Sequence, residues 1–254
     1  MRHVFVIGWI AIRELFYERV FYLLISFGLL SISLSLLLGQ MTYTEESKLT
    51  LDFLLAAIQI SMTLFSVFMG ISLFHRELVQ GSISMVLSKP ISRASFLIGK
   101  FLGQIGVQLL VIATMAVITF IATLRFNEGV SYLSLTQSVF LIFLEVTVIT
   151  SITYLFAVNA GAITAAVATL FLVGLGHLSD TVTKTFVRPE EKITWGLLKP
   201  ALPNLEIFNM KTLVSYGISI SGSEIGWALA YAAICTTMFL AMAAFCFDRK
   251  DIFT

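Results

Sequence analysis

Residues able to do chemistry are few in this sequence, and their spacing excludes more than it offers. The three histidines, His3, His75 and His177, are scattered too widely to propose a catalytic or metal site from spacing. No H-E-x-x-H and no G-x-S-x-G occurs, so zinc-dependent and serine-based hydrolysis both lack their parts. Gly99-Lys100 is followed by Phe101 and lacks the glycine-rich loop that cradles phosphates, so ATP hydrolysis is not expected on these residues. The expectation is no catalytic residue, no metal and no cofactor on this chain. Cys235 and Cys246 lie eleven residues apart in one apolar run. On a helix that is roughly 16 Å of rise, too far for a disulfide, and both read as small buried apolar residues.

Glu145, in VFLIFLEVTVIT, is the one acid deep in an apolar run. An ionised carboxylate at the centre of a bilayer costs roughly 2.5–3.5 kcal/mol. Such a residue either faces a cavity and meets a substrate or a proton, or is satisfied by protonation or by a Ser or Thr on a neighbouring helix. No apolar run supplies a base, so the second reading is the expectation. His177, at the end of another run, reads as an interfacial residue. Asp180, Glu190, Glu191, Glu206 and Glu224 read as a solvated surface, with a docking face for an extracytoplasmic partner at 178–225 as the alternative.

The elements that must hold these residues follow from composition. The 254 residues are 58% hydrophobic and only 12% charged, with 22 phenylalanines; mean hydropathy is +0.95. Soluble domains carry about 25% charged residues, so the chain cannot coat itself for water and lipid is its solvent. A net charge of +1 and the lack of any long Lys/Arg block exclude a nucleic-acid partner. Runs of about 20 apolar residues predict six spans, at about 20–39, 53–74, 101–124, 136–157, 162–177 and 226–247. The fifth is short and rich in Ala, Thr and Gly, which let helices approach closely. Residues 1–254 thus read as one all-α membrane domain.

Six spans place both termini on one side. That side holds Arg2, Arg13, Arg19, Arg76, Lys89, Arg93, Lys100, Arg249 and Lys250, close to span ends. The other side has Lys48 and Arg125 in short loops and five bases spread through 178–225. The positive-inside rule then makes the termini cytoplasmic. Residues 3–19 put Phe5, Trp9, Ile12 and Phe16 on one helical stripe, which suits an amphipathic helix lying in the interface, or else an extension of the first span. The first clean apolar run is too long for a signal peptide. The segment 178–225, punctuated by Pro189, Pro200 and Pro203, holds ITWGLL and LEIFNMKTLVSYGI, apolar enough to form short helices, and is expected outside, partly resting on the membrane surface.

Between the second and third runs lies HRELVQGSISMVLSKPISR, residues 75–93. Gly81 allows a sharp bend, Ser82 is a plausible N-cap, and Ile83, Val86 and Leu87 share one helical face. Pro90 stops the turn. The residues fit a short helix held across the cytoplasmic surface; they equally fit a plain loop with a basic flank.

The order Glu77, Gly81-Ser82, Leu87-Ser88-Lys89-Pro90, Ser92-Arg93 and Gly99-Lys100 resembles the cytoplasmic signature of ABC-2-type permeases. Leu202-Pro203-Asn204-Leu205-Glu206 and the ending Phe247-Asp248-Arg249-Lys250-Asp251 are similar to patterns of the branch that serves nitrous-oxide-reductase maturation. Ser82 stands where Thr is commoner. The resemblance runs the length of the chain and implies the membrane subunit of an ATP-driven transporter, an exporter in the cytoplasmic membrane of a bacterium or archaeon. It implies separate cytoplasmic ATPase subunits carrying ATP and Mg, and a second copy of this chain or a related permease. Glu77, Gly81, Ser82, Ile83, Val86, Leu87, Lys89, Pro90 and Arg93 would form the coupling element. Two rival readings stand beside it: an ion-coupled transporter or channel using Glu145, and a non-transporting membrane scaffold.

Overall fold

A computed structural model describes residues 2–40, 46–79, 92–124, 131–185, 203–210 and 220–249. Among them the chain is helical throughout: α1 (Arg2–Tyr17), α2 (Arg19–Gln40), α3 (Glu46–Val79), α4 (Arg93–Thr123), α5 (Tyr132–Asn159), α6 (Ala162–Thr185), a 3-10 turn (Leu205–Phe208) and α7 (Gly222–Arg249). Helices satisfy their own backbone groups, which is what a chain with lipid as solvent requires.

The helices run past the apolar stretches and end at local caps. Ser92 accepts from the Ser95 amide to open α4, and Ser131 does the same for Ser134 at α5. At α7, the Glu224 carboxylate accepts from the Ser221 amide, the reciprocal half of a capping box. Glu224 is thus a helix cap as well as a surface acid. Gln137 of α5 grips the entry to α7, accepting from the Ile220 amide at 3.1 Å and donating to its carbonyl at 3.3 Å.

α5 is apolar on nearly every side and is the central post, in contact with α3, α4, α6 and α7. Its buried residues include Leu141, Val148, Ile152 and Tyr154, each with no exposure. α4 and α7 are one-sided, with outward faces carrying Leu109, Leu110, Val117, Trp227 and Ile234. Such faces suit lipid or a partner helix, not water.

Four helices among the described residues are long and apolar enough to cross a membrane: Thr50–His75, Arg93–Thr123, Tyr132–Asn159 and Gly222–Arg249. A fifth arises if Val6–Tyr17 and Phe21–Leu34, bent by 67°, count as one. Ala162–Leu178 is apolar but shorter. The expected runs at 20–39 and 162–177 are therefore the two that composition and length alone do not carry.

α1 packs along α4 rather than continuing α2. Its buried side is Ile7, Ala11 and Leu15, while Trp9 and Phe16 face out. The contact is backbone to backbone: a Cβ placed on Gly103 would lie 2.6 Å from the Gly8 carbonyl oxygen and 2.7 Å from the Ala11 Cβ. Small residues four apart, Gly99 and Gly103, give this approach. Lys100 is almost wholly buried beside them and pairs with Glu14 of α1. The Gly99-Lys100 dipeptide thus seats the N-terminal helix.

Candidate functional site

Two places in the bundle concentrate polar groups. One lies where α3, α5 and α6 meet. Glu145, fully buried on α5, accepts from Gln59 Nε2 of α3 at 2.7 Å and meets His177 Nε2 of α6 at 2.9 Å. A nitrogen faces each carboxyl oxygen. Two directed hydrogen bonds replace the water that burial removes.

This differs from the expectation in two respects. The partners are an amide and an imidazole, not Ser or Thr, and His177 turns inward from within α6, which runs on to Thr185. The α5–α6 hairpin is the reason. Glu145 precedes Gly161 by the same sixteen residues by which His177 follows it, so an antiparallel pair folded at Gly161 brings them level. Gln59, an amide inside an apolar run, was the readable sign on α3.

Beyond His177 the polar group continues. Its Nδ1 faces Glu206 Oε2 at 3.9 Å, and Glu206 Oε1 accepts from Asn209 Nδ2 at 3.0 Å. Glu206 belongs to the segment expected on the membrane surface, yet residues 203–210 are packed into the bundle. Leu205 and Phe208 are buried, the Asn204 amide donates to Tyr231 Oη at 2.7 Å, and the Asn204 side chain caps the 3-10 turn. A Cβ on Gly176 would stand 2.7 Å from the Pro203 carbonyl oxygen, so the turn sits hard against α6. Burial of Leu205 and Phe208 outweighs the polar character of Asn204 and Glu206, and the turn satisfies its own backbone. An open cleft of about 510 Å³ adjoins the site, with Gln59, His177, Glu206 and Asn209 beside Ile60, Leu64, Leu170 and Val173.

A second polar layer ties α3, α4 and α5 nearer the α3 C-terminus. Ser66 and Thr150 hydroxyls meet at 2.8 Å, Gln108 Nε2 donates to Thr150 Oγ1 at 2.8 Å, and Gln104 Nε2 donates to the Ser66 carbonyl at 2.9 Å. Such bonds act as interhelical glue.

Of the predicted coupling residues, Gly81, Ser82, Ile83, Val86, Leu87, Lys89 and Pro90 lie outside the described residues, and Glu77 is described only as part of α3. Arg93, at the start of α4, is placed. Its Nη1 donates to the Phe247 carbonyl at 2.7 Å and lies 3.4 Å from that of Asp248, with the guanidinium over the Phe247 ring. A cation there satisfies the last carbonyls of α7. Phe247 also packs on Phe74 and Phe96, and Phe74 on Tyr154. The helix ends flanking 80–91 are thereby joined to each other and to α5 and α7. Cys235 is buried and Cys246 half-buried, both free thiols.

The sequence matches a family model described as ABC-2 family transporter protein over residues 13–252. No curated protein matches the sequence. An integral membrane bundle and a family match over nearly the whole chain lead to one conclusion: the chain belongs to the ABC-2 family of transporter membrane proteins.

Proposed function

We infer that this chain is the permease subunit of an ATP-driven exporter of the branch similar to nitrous-oxide-reductase maturation permeases. It crosses the membrane six times, with α2 and α6 as the two crossings that length alone does not secure, and both termini face the cytoplasm. Two such subunits, identical or related, enclose the path, and separate ATPase subunits carry ATP and Mg. Family membership over residues 13–252 is the observation that carries this reading.

Residues 75–93 receive the stroke of the ATPase. What supports a lever there is the stiffness of its two anchors. α3 ends and α4 begins on one aromatic cluster, Phe74, Phe96, Tyr154 and Phe247, with Arg93 fastening the end of α7. A push on such a unit moves packed helices together instead of dissipating in one loop.

The experiment is co-expression and co-purification with an ABC ATPase subunit from the same organism. Leu87→Asp is expected to cut recovery of the ATPase by tenfold or more, about 1.4 kcal/mol, while the membrane fold keeps its unfolding temperature. Full recovery with Leu87→Asp removes 82–89 as the docking element. Transport that persists without any ATPase and follows an ion gradient would establish the rival reading built on Glu145.

A further inference from the structure

We propose that the outward face of α1 seats one anionic phospholipid, with its phosphate on the Arg13 guanidinium and its acyl chains along the apolar side chains beside it. The proposal needs only that the chain lies in a membrane, and it goes beyond the permease reading above.

The register of α1 sorts its residues into two faces. Ile7, Ala11 and Leu15 are buried, on the side that packs along α4. Val6, Trp9, Ile10, Phe16 and Tyr17 are exposed. At about 100° per residue these five and Arg13, itself exposed, fall on one outward arc, with Arg13 near its middle. Trp9 is 65% exposed and Tyr17 78%, and such rings favour the boundary between hydrocarbon and water.

An apolar arc with one cation at its centre makes opposed demands. Water satisfies Arg13 but not its neighbours, and hydrocarbon satisfies the neighbours but not Arg13. The protein supplies no counter-charge. Glu14, the nearest acid in sequence, turns to Lys100 of α4. Glu18 lies past the end of α1 and is half-buried. Among the described residues Arg13 has neither an ion-pair partner nor a side-chain hydrogen bond.

A lipid phosphate answers both demands. A guanidinium meets phosphate oxygens in bidentate fashion, and the Tyr17 hydroxyl, one turn further on, is a second donor on the same arc. An open groove of about 400 Å³, lined by Ile10, Arg13, Glu14 and Tyr17, gives an acyl chain a surface beside the head. The head is anionic because a choline ammonium would compete with Arg13 for its own phosphate and would want an acid, and this face offers none once Glu14 is held by Lys100. A free anion in water would satisfy Arg13 and leave Trp9 and Tyr17 uncovered.

The test uses the full chain reconstituted in phosphatidylcholine vesicles. Trp9, Trp195 and Trp227 are its tryptophans. With Trp195→Phe and Trp227→Phe, fluorescence reports Trp9 alone, one turn from Arg13. The probes are phosphatidylglycerol and phosphatidylcholine brominated on their acyl chains, which quench a tryptophan they touch. Quenching of Trp9 is expected to show about a fivefold preference for phosphatidylglycerol. Arg13→Gln, on an exposed side chain, is expected to erase that preference, and Arg249→Gln, which removes one charge at the end of α7, is expected to leave it unchanged. A companion chain keeping only Trp227, 77% exposed on α7, is expected to show no preference. Equal quenching of Trp9 by both lipids overturns the proposal, as does a preference that survives Arg13→Gln. A preference lost equally with Arg249→Gln is a diffuse effect of charge and overturns it too. No quenching by either lipid means that α1 faces water or a protein partner, which overturns it as well. None of these results bears on ATPase co-purification, so failure here and failure of the permease reading are told apart.

Discussion

Glu145 shows what a buried carboxyl group demands of its neighbours. Its two oxygens are held by Gln59 and His177, each from a different helix. Removing either partner leaves part of a buried carboxyl group unsatisfied. His177→Ala is expected to lower the unfolding free energy by about 1–2 kcal/mol, measured by denaturation in mixed micelles. In a double-mutant cycle with Glu145→Ala the two losses should be less than additive, because both remove one interaction. Full additivity would mean that the 2.9 Å contact contributes nothing. Lys100 makes the same argument on the other side of the bundle: almost fully buried, it pairs with Glu14 and thereby fastens α1.

At the scale of elements, close approach decides which glycines matter. At Gly103 an added methyl meets a carbonyl oxygen at 2.6 Å and a Cβ at 2.7 Å, both fixed to backbone. Gly103→Ala should therefore push α1 off α4 at a cost of about 1–3 kcal/mol, and trypsin should cut faster at Arg13 and Arg19. At Gly28 the nearest atom is Met115 Cε, the free end of a flexible side chain. Gly28→Ala should cost about 1 kcal/mol or less and leave the tryptic pattern unchanged. The reverse ranking would show that α1 is held by Lys100 and Glu14 alone. The seating of α1 was only partly legible. The stripe through Trp9 and Phe16 predicted one outward face, and the second face, Gly8, Ala11 and Leu15, became visible only against its partner α4.

For the molecule as a whole, the question is how many times the chain crosses the membrane. In a variant carrying Cys235→Ala and Cys246→Ala, single cysteines report sidedness to a membrane-impermeant maleimide. Six crossings predict that Glu128→Cys and Glu190→Cys react on intact cells, and that His3→Cys reacts only after permeabilisation. If α1–α2 and α6 did not cross, His3→Cys and Glu128→Cys would react from the same side. The arrangement of α5 at the centre with α4 and α7 exposing apolar faces also predicts that the chain is extracted from membranes by detergent and not by carbonate at high pH.

Composition and apolar run length point to lipid as solvent, to the helical class and to the approximate places of α2 to α7, because lipid leaves a backbone few alternatives. Hairpin counting about Gly161 already contained the pairing of Glu145 with His177, although nothing in the run around His177 points inward on its own. A short helix from Leu205 could be read from LEIFNMKTLVSYGI, but its burial in the bundle could not. Its apolar anchors, Leu205 and Phe208, are too few to announce a buried element in a stretch punctuated by proline, and they find their place only once Gly176 and Tyr231 have been brought together by α6 and α7. Local pattern decides which segments leave water; which polar groups then meet depends on the packing of helices that are far apart in sequence.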